Sequence, residues 1–221
     1  IGVRATPSTS LSDDGGRDRE KGETTHYSVV DARGNAVSTT TTLNDSYGSK
    51  VVVRGTGFLM NNEMDDFAAK PGVPNLYGLV GNEANAIEPE KRMLSSMAPT
   101  IVLKNGRTFL VLGTPGGSTI ITTVAQIIMD VIDFKMGIDA AVRAPRFHHQ
   151  WLPDCITLEN GGFNVYLRDS LQDKGHRVEE RPEAIGNAQV IEVLDSLACG
   201  MSDPRGWGEA TGSLPAGSKQ Q

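Results

Sequence analysis

The chain has 221 residues, 22% of them charged, with a net charge of -6 and a mean hydropathy of -0.27. That length supports one domain with a core of its own. The acidic balance argues against a nucleic-acid partner, which needs a basic patch, and no apolar run is long enough to span a bilayer.

Residues 1–23 hold Pro7, Gly15, Gly16, Gly22 and the mixed-charge run Arg17-Asp18-Arg19-Glu20-Lys21. This is linker composition, with no apolar core of the signal-peptide kind. At Glu23-Thr24 the character changes abruptly, and strand-like sequence begins. Two readings stand side by side: the fold starts here, or the chain is cut here and leaves Thr24 as a new N-terminus. An N-terminal threonine is a self-contained nucleophile, because its hydroxyl attacks while its own α-amine, of pKa about 8, serves as general base.

Residues 26–30 and 36–43 read as two strands joined by the turn Asp31-Ala32-Arg33-Gly34-Asn35. The threonine run 39–42 suits a strand with a polar face, and alternation puts Thr40 and Thr42 on the same side. Such hydroxyls also suit the orientation of a neighbouring nucleophile. Residues 57–60 read as a short buried strand. In Asn61-Asn62-Glu63-Met64-Asp65-Asp66-Phe67 the clustered acids read as a solvated turn, a holder for a substrate amino group, or, least well, a cation site. Their spacing fits no calcium loop. Residues 70–81 form a long Pro/Gly loop with Tyr77 at its tip, either a lid residue or a packing anchor.

Residues 100–104 and 108–113 read as strands around Asn105-Gly106, a strong hairpin signal. Thr114-Pro115-Gly116-Gly117-Ser118 then opens an apolar helix over about 119–132. A double glycine there serves a tight turn, and it also presents backbone N–H groups to an anion or an acyl-transfer oxyanion. A short helix is expected over 139–144, an amphipathic helix over 163–174, a strand over 177–179, and a final hairpin, 188–194 with 196–200. His148 and His149 are adjacent and so point apart; a structural role suits them better than a shared metal. Cys155 and Cys199 lie far apart and read as buried free thiols, with a disulfide as the alternative. The sum is an α+β chain, antiparallel sheets with helices packed on them.

From Thr24 onward the motifs resemble the small subunit of the γ-glutamyltransferases (γ-glutamyl transpeptidases, glutathione hydrolases), which are N-terminal-nucleophile hydrolases. The resemblance rests on Thr24-Thr25-His26-Tyr27-Ser28-Val29-Val30-Asp31, Thr40-Thr41-Thr42-Leu43-Asn44, the segment Asn61 through Phe67, Lys70-Pro71-Gly72-Val73-Pro74-Asn75, Leu94-Ser95-Ser96-Met97, Pro115-Gly116-Gly117-Ser118 and Ala144-Pro145-Arg146-Phe147-His148-His149-Gln150-Trp151. It implies an αββα sandwich of which this chain supplies about half. Residues 1–23 would close the large-subunit region, 24–205 form the small-subunit catalytic domain, and 206–221 a mobile tail.

It further implies self-cleavage between Glu23 and Thr24, then γ-glutamyl transfer and hydrolysis on glutathione and related compounds through a γ-glutamyl-threonine ester. Thr24 would be the nucleophile, oriented by Thr42, with Gly116 and Gly117 donating to the oxyanion. Asn44, Glu63 and Asp66 would hold the substrate α-amino group, Ser95 and Ser96 its α-carboxylate, and Tyr77 would be the lid tip. No metal or other cofactor is implied. The partners implied are a γ-glutamyl substrate, an amino-acid, peptide or water acceptor, and a large subunit that lends an arginine; without it the chain is expected to be inactive. A periplasmic or secreted location is implied by the resemblance alone. The rivals are a related acylase (cephalosporin or glutaryl acylase, or poly-γ-glutamate depolymerase) and a non-catalytic fragment that binds glutamate-like ligands.

Overall fold

A computed structural model describes residues 24–195 and 197–212. The expected linker, residues 1–23, and residues 213–221 of the expected tail lie outside the described residues, as does Ser196.

β1 (Thr25–Val30) and β2 (Ala36–Thr41) pair antiparallel, with Thr25 opposite Thr41. Asp31 closes their turn: its carboxylate accepts the Arg33 and Asn35 amides, while Gly34 takes a φ of 84°. β3 (Thr100–Lys104) and β4 (Arg107–Gly113) pair around Asn105 and Gly106, whose φ values of 53° and 76° suit a tight hairpin turn. β8 (Gln189–Leu194) and β9 (Leu197–Ser202) extend that sheet in the order β3-β4-β8-β9. Between these hairpins run α1 (Thr119–Ile132), α2 (Ile138–Arg143), β5 (Phe147–His148), β6 (Ile156–Glu159), α3 (Val165–Asp173) and β7 (Val178–Arg181).

The arrangement is layered. Leu110 and Leu112 of β4 and Val190 of β8 meet Ile120, Val124, Ile127 and Val131 of α1, with Ala141 and Val142 of α2, in one buried cluster. Burial of that apolar face is the main stabilising term of the fold. The β1–β2 hairpin packs on β4 and β8 from the opposite side. Its inward face is polar: Ser38 donates to Leu112 O at 2.9 Å and Ser28 to Gln189 O at 3.2 Å. Its outward face is apolar, with Tyr27, Val29 and Val37 exposed, and Ile121, Met129 and Phe134 along and just beyond α1 are exposed as well.

Several expectations are corrected. Residues 57–60 form no buried strand: one bridge joins Val52 to Leu59, and Phe58 and Met60 are half exposed or more. Gly55 and Gly57, at φ 84° and 80°, turn the chain back before a ladder can grow. The sheets are not all antiparallel, because β6 and β7 pair parallel, with α3 as the crossover such a pair requires. β6 itself has no counterpart among the strands expected from sequence. α3 buries none of its residues, so its apolar positions, with Tyr166 81% exposed, do not serve as a packed stripe. Both cysteines are free, Cys155 buried and Cys199 only partly so.

A charged knot ties the C-terminal segment to this core. Arg146 and Asp203, 1% and 2% exposed, pair at 2.7 Å. Arg205 grips Glu159 through Nε at 2.6 Å and Nη2 at 2.8 Å, and donates to the carbonyls of Val142 and Ala144 at the end of α2. Those carbonyls have no partner within the helix, so the guanidinium acts as its C-cap.

Candidate active site

Thr24 precedes β1 and Thr42 follows β2. Because Thr25 pairs with Thr41, the two flanking threonines meet at the open end of the hairpin, where the Thr24 hydroxyl donates to Thr42 Oγ1 at 2.9 Å. Thr42 also accepts the Asn44 amide at 2.8 Å, which fixes its rotamer from the other side. Glu23 lies outside the described residues.

Below that pair the same face carries His26 and Thr40. Ser28 donates to a carbonyl, so its oxygen accepts from His26 Nε2–H at 3.1 Å, which leaves Nδ1 to accept the Thr40 hydroxyl at 2.8 Å. Burial keeps this imidazole neutral, with its pKa pushed down to about 4. The ring fits because position 113 is glycine: a Cβ there would stand 2.2 Å from His26 Cε1.

A cleft opens beside Thr24 and is lined by Thr24, Thr42, Asn44, Glu63, Asp66, Tyr77, Ser95, Ser96, Met97, Gly117 and Ile120. It gathers every residue to which the resemblance gives a site role except Gly116, whose neighbour Gly117 reaches it. A larger, open depression lies over Glu159 and Arg205, where the charges are already paired.

Glu63 and Asp66 sit at the two ends of a single 3₁₀ turn, Glu63–Asp66, where a spacing of three residues eclipses the side chains. Burial, and then a hydrogen bond and repulsion from Asp66, push the Glu63 pKa up to about 7; Asp66 is raised mainly by burial. Two carboxyls that share a proton in this way suit an incoming ammonium group.

Tyr77 closes one wall. Its hydroxyl donates to Asn44 Oδ1 at 2.8 Å and is within 3.0 Å of Asn44 O, and burial, then the nearby acids, push its pKa up to about 12. Asn44 Nδ2 donates to Asn62 O at 3.3 Å, and the residue takes a φ of 76°, a conformation asparagine tolerates better than most. Gly117 must lack a side chain, since a Cβ would stand 2.6 Å from Tyr77 Cε1. Gly116 and Gly117 have φ values of 143° and 57°, and their carbonyls accept the Thr119 and Ile120 amides as α1 begins. Their own N–H groups have no backbone acceptor among the described residues. Elsewhere in the lining, Ser95 Oγ accepts the Met97 amide at 3.2 Å, with Ser96 next to it in the chain.

Sequence reasoning missed the supports of this wall. Asn75 Oδ1 accepts the Tyr77 and Leu79 amides, and Asp65 accepts the Leu76 amide at 3.0 Å. An asparagine after proline in a glycine-bearing loop is a turn signal that points to the first of these. Of the apolar lining, Met97 closes a quoted motif but was given no role, and Ile120 carried no signal beyond its place in the apolar helix. The histidines part as expected: buried His148 lies between Thr122 and Gln150, while His149 faces Asp154.

The sequence profile of the family described as Gamma-glutamyltranspeptidase matches residues 3–213. The "Glutathione hydrolase proenzyme" of Escherichia coli (strain K12) is 52% identical over 203 residues, which are 91% of this chain and 35% of that protein. The chain thus spans about a third of the length of the curated relatives it matches. The solved γ-glutamyltranspeptidase from Pseudomonas nitroreducens complexed with L-DON is 49% identical at a TM-score of 0.81, covering 86% of this chain and all of that one. The T380A mutant of the Helicobacter pylori γ-glutamyltranspeptidase is 56% identical at a TM-score of 0.80, covering 82% of this chain and all of that one. The α+β fold is that of the N-terminal-nucleophile hydrolase sandwich. Profile, identity and fold agree: the chain belongs to the γ-glutamyltranspeptidase family.

Proposed function

We propose that this chain is the small-subunit region of an enzyme that hydrolyses and transfers γ-glutamyl groups from glutathione and related compounds, after cleavage between Glu23 and Thr24. In the precursor the Thr24 oxygen attacks the Glu23 carbonyl carbon. The C–N bond breaks as the Thr24 nitrogen takes the hydroxyl's proton, which frees the α-amine, and water then hydrolyses the resulting ester to the Glu23 carboxylate and the Thr24 hydroxyl. In the mature site that amine takes the proton of the Thr24 hydroxyl, and the oxygen attacks the γ-carbonyl of the substrate. The oxyanion faces the Gly116 and Gly117 amides, and collapse expels the leaving amine with the proton held on Thr24. Water or an acceptor amine then attacks the ester.

Glu63 and Asp66, with the second lone pair of Asn44 Oδ1, hold the α-ammonium. Ser95 and Ser96 hold the α-carboxylate. Thr42 orients Thr24, and Tyr77 covers the pocket. One observation carries this reading: the Thr24–Thr42 hydroxyl pair at 2.9 Å opens into a cleft that also holds the Glu63–Asp66 carboxyls and the start of α1. The exposed apolar faces of β1–β2 and α1 support a large-subunit partner that covers them and completes the carboxylate grip. A periplasmic or secreted location is proposed on family grounds; no helix among the described residues is long and apolar enough to cross a membrane.

The test is intact mass and γ-glutamyl anilide hydrolysis of the chain produced with its large-subunit region, beside Thr24→Ala. Fragments split at Glu23/Thr24 and turnover, both absent in the variant, are expected. Turnover that survives Thr24→Ala would sink the reading. A glutaryl anilide run in parallel should be poor, because it lacks the ammonium that the carboxyl pair addresses; equal rates would favour an acylase.

A further inference from the structure

We propose that Gln150 is a positioning residue, which straps the Tyr77 turn closed over the cleft from the side opposite Asn44. The proposal rests on the γ-glutamyl reading for its meaning in turnover, though its geometry stands alone. The Gln150 amide meets three partners, and their chemistry fixes its orientation. Nε2 lies 3.3 Å from Tyr77 O and 3.2 Å from Leu152 O. Both are carbonyls that only accept, so the amino group must face them. Oε1 therefore faces His148, and it accepts from Nε2 of that ring at 2.8 Å.

His148 is 7% exposed, and burial holds its pKa below the usual value, so the ring is neutral. With its proton on Nε2, Nδ1 must accept, so the single Thr122 hydroxyl proton goes to Nδ1 at 2.8 Å rather than to Thr119 O at 3.1 Å. A directed chain of bonds thus runs from Thr122 on α1, through His148 and Gln150, to the backbone carbonyl of Tyr77. Gly78 follows with a φ of 73°, a conformation that favours glycine in this turn.

The consequence is a turn held from both sides. The Tyr77 hydroxyl is tied to Asn44 and its carbonyl to Gln150, so the ring is fixed across Gly117. The strap also anchors the turn to the helix that directly follows the proposed oxyanion donors. Loss of the strap should therefore cost substrate retention more than the bond-making step.

Two substitutions separate this role from packing. Gln150→Glu keeps the oxygen that His148 bonds and replaces the amino donor with an oxygen that cannot bond Tyr77 O. Gln150→Met keeps the shape and removes both ends. The readout is amide hydrogen exchange of the 70–81 peptide in the chain produced with its large-subunit region, with the β4 peptide as a fold control. Both variants should exchange about fivefold faster over 70–81 than the parent, the worth of one hydrogen bond, with β4 unchanged. KM for the γ-glutamyl anilide should rise by a similar factor while kcat moves less than about twofold. Parent-like exchange in Gln150→Glu, with only Gln150→Met loosened, would mean that the His148 contact is merely structural and would overturn the strap. Parent-like exchange in both would do the same. Absence of turnover in the parent would refute the γ-glutamyl reading, while the exchange result would still decide the strap.

Discussion

Two clusters of ionisable side chains lie at opposite ends of the chain's chemistry. Around Asp203 two guanidiniums meet two carboxylates, and each charge has an opposite within 3.2 Å. Around Glu63 two carboxyls face each other with no cation among the described pairs, and both have their pKa raised. The first cluster is neutralised from within and spends its hydrogen bonds on α2 and the C-terminal segment. The second is left with an excess of negative charge at a cleft wall. Such a pair relieves its charge by holding a proton or by taking a cation from outside, and that separates the structural knot from the candidate binding site.

The comparison breaks most visibly at Asp203. Asp203→Ala leaves Arg146 buried without its counter-ion and should cost about 3–5 kcal/mol of stability, read by chemical denaturation. If it cost nothing, the knot would not be the structural half of the pair. Glu63→Gln should leave folding intact and weaken glutamate binding by roughly 10–100-fold, the worth of a charge-assisted bond, as calorimetry would measure. The pH dependence sharpens this. Glu63 is protonated below its pKa of about 7, and an ammonium needs it ionised, so affinity should fall as pH drops through about 7. Binding near that pH should release a proton, and the Glu63→Gln substitution should flatten the profile.

Smaller effects test the cleft wall and the surface. Tyr77→Phe removes one hydrogen bond to Asn44 and should raise KM about fivefold. An unchanged KM would mean that the ring alone closes the cleft. Arg143→Ala breaks an exposed pair with Asp139 at 2.9 Å and should shift stability by no more than about 0.5 kcal/mol. A larger loss would show that charge pairing outside the knot had been undervalued.

Legibility in the sequence followed the range of the interaction. The β1–β2 hairpin was readable because its turn, Asp31 through Asn35, closes on itself through local bonds. Asn105-Gly106 was readable for the same reason. Residues 57–60 were misread because four apolar residues beside glycine look alike whether or not anything covers them. β6 and the parallel pairing escaped because their register depends on where α3 returns the chain. In the cleft, the acids of 63–66 stood out as a cluster that residues alone read first as a solvated turn, and the family motifs supplied the roles. Gln150 did not stand out, because its bond to Tyr77 crosses 73 positions and ends on a backbone carbonyl, which leaves no trace in residue identity.

The inward face of β1 has one more consequence. A strand that begins at a chain end ordinarily frays, since nothing upstream tethers it. Here the grip on the strand begins two residues in, where His26 is held by Thr40 and Ser28, and Ser28 by β8. Severing the peptide bond before Thr24 removes the tether and leaves that grip untouched. All the gripping groups are uncharged, so salt does not loosen them, and acid reaches the imidazole only near about pH 4. On the proposed cleavage, the new terminus stays anchored two residues in, through His26 and Ser28.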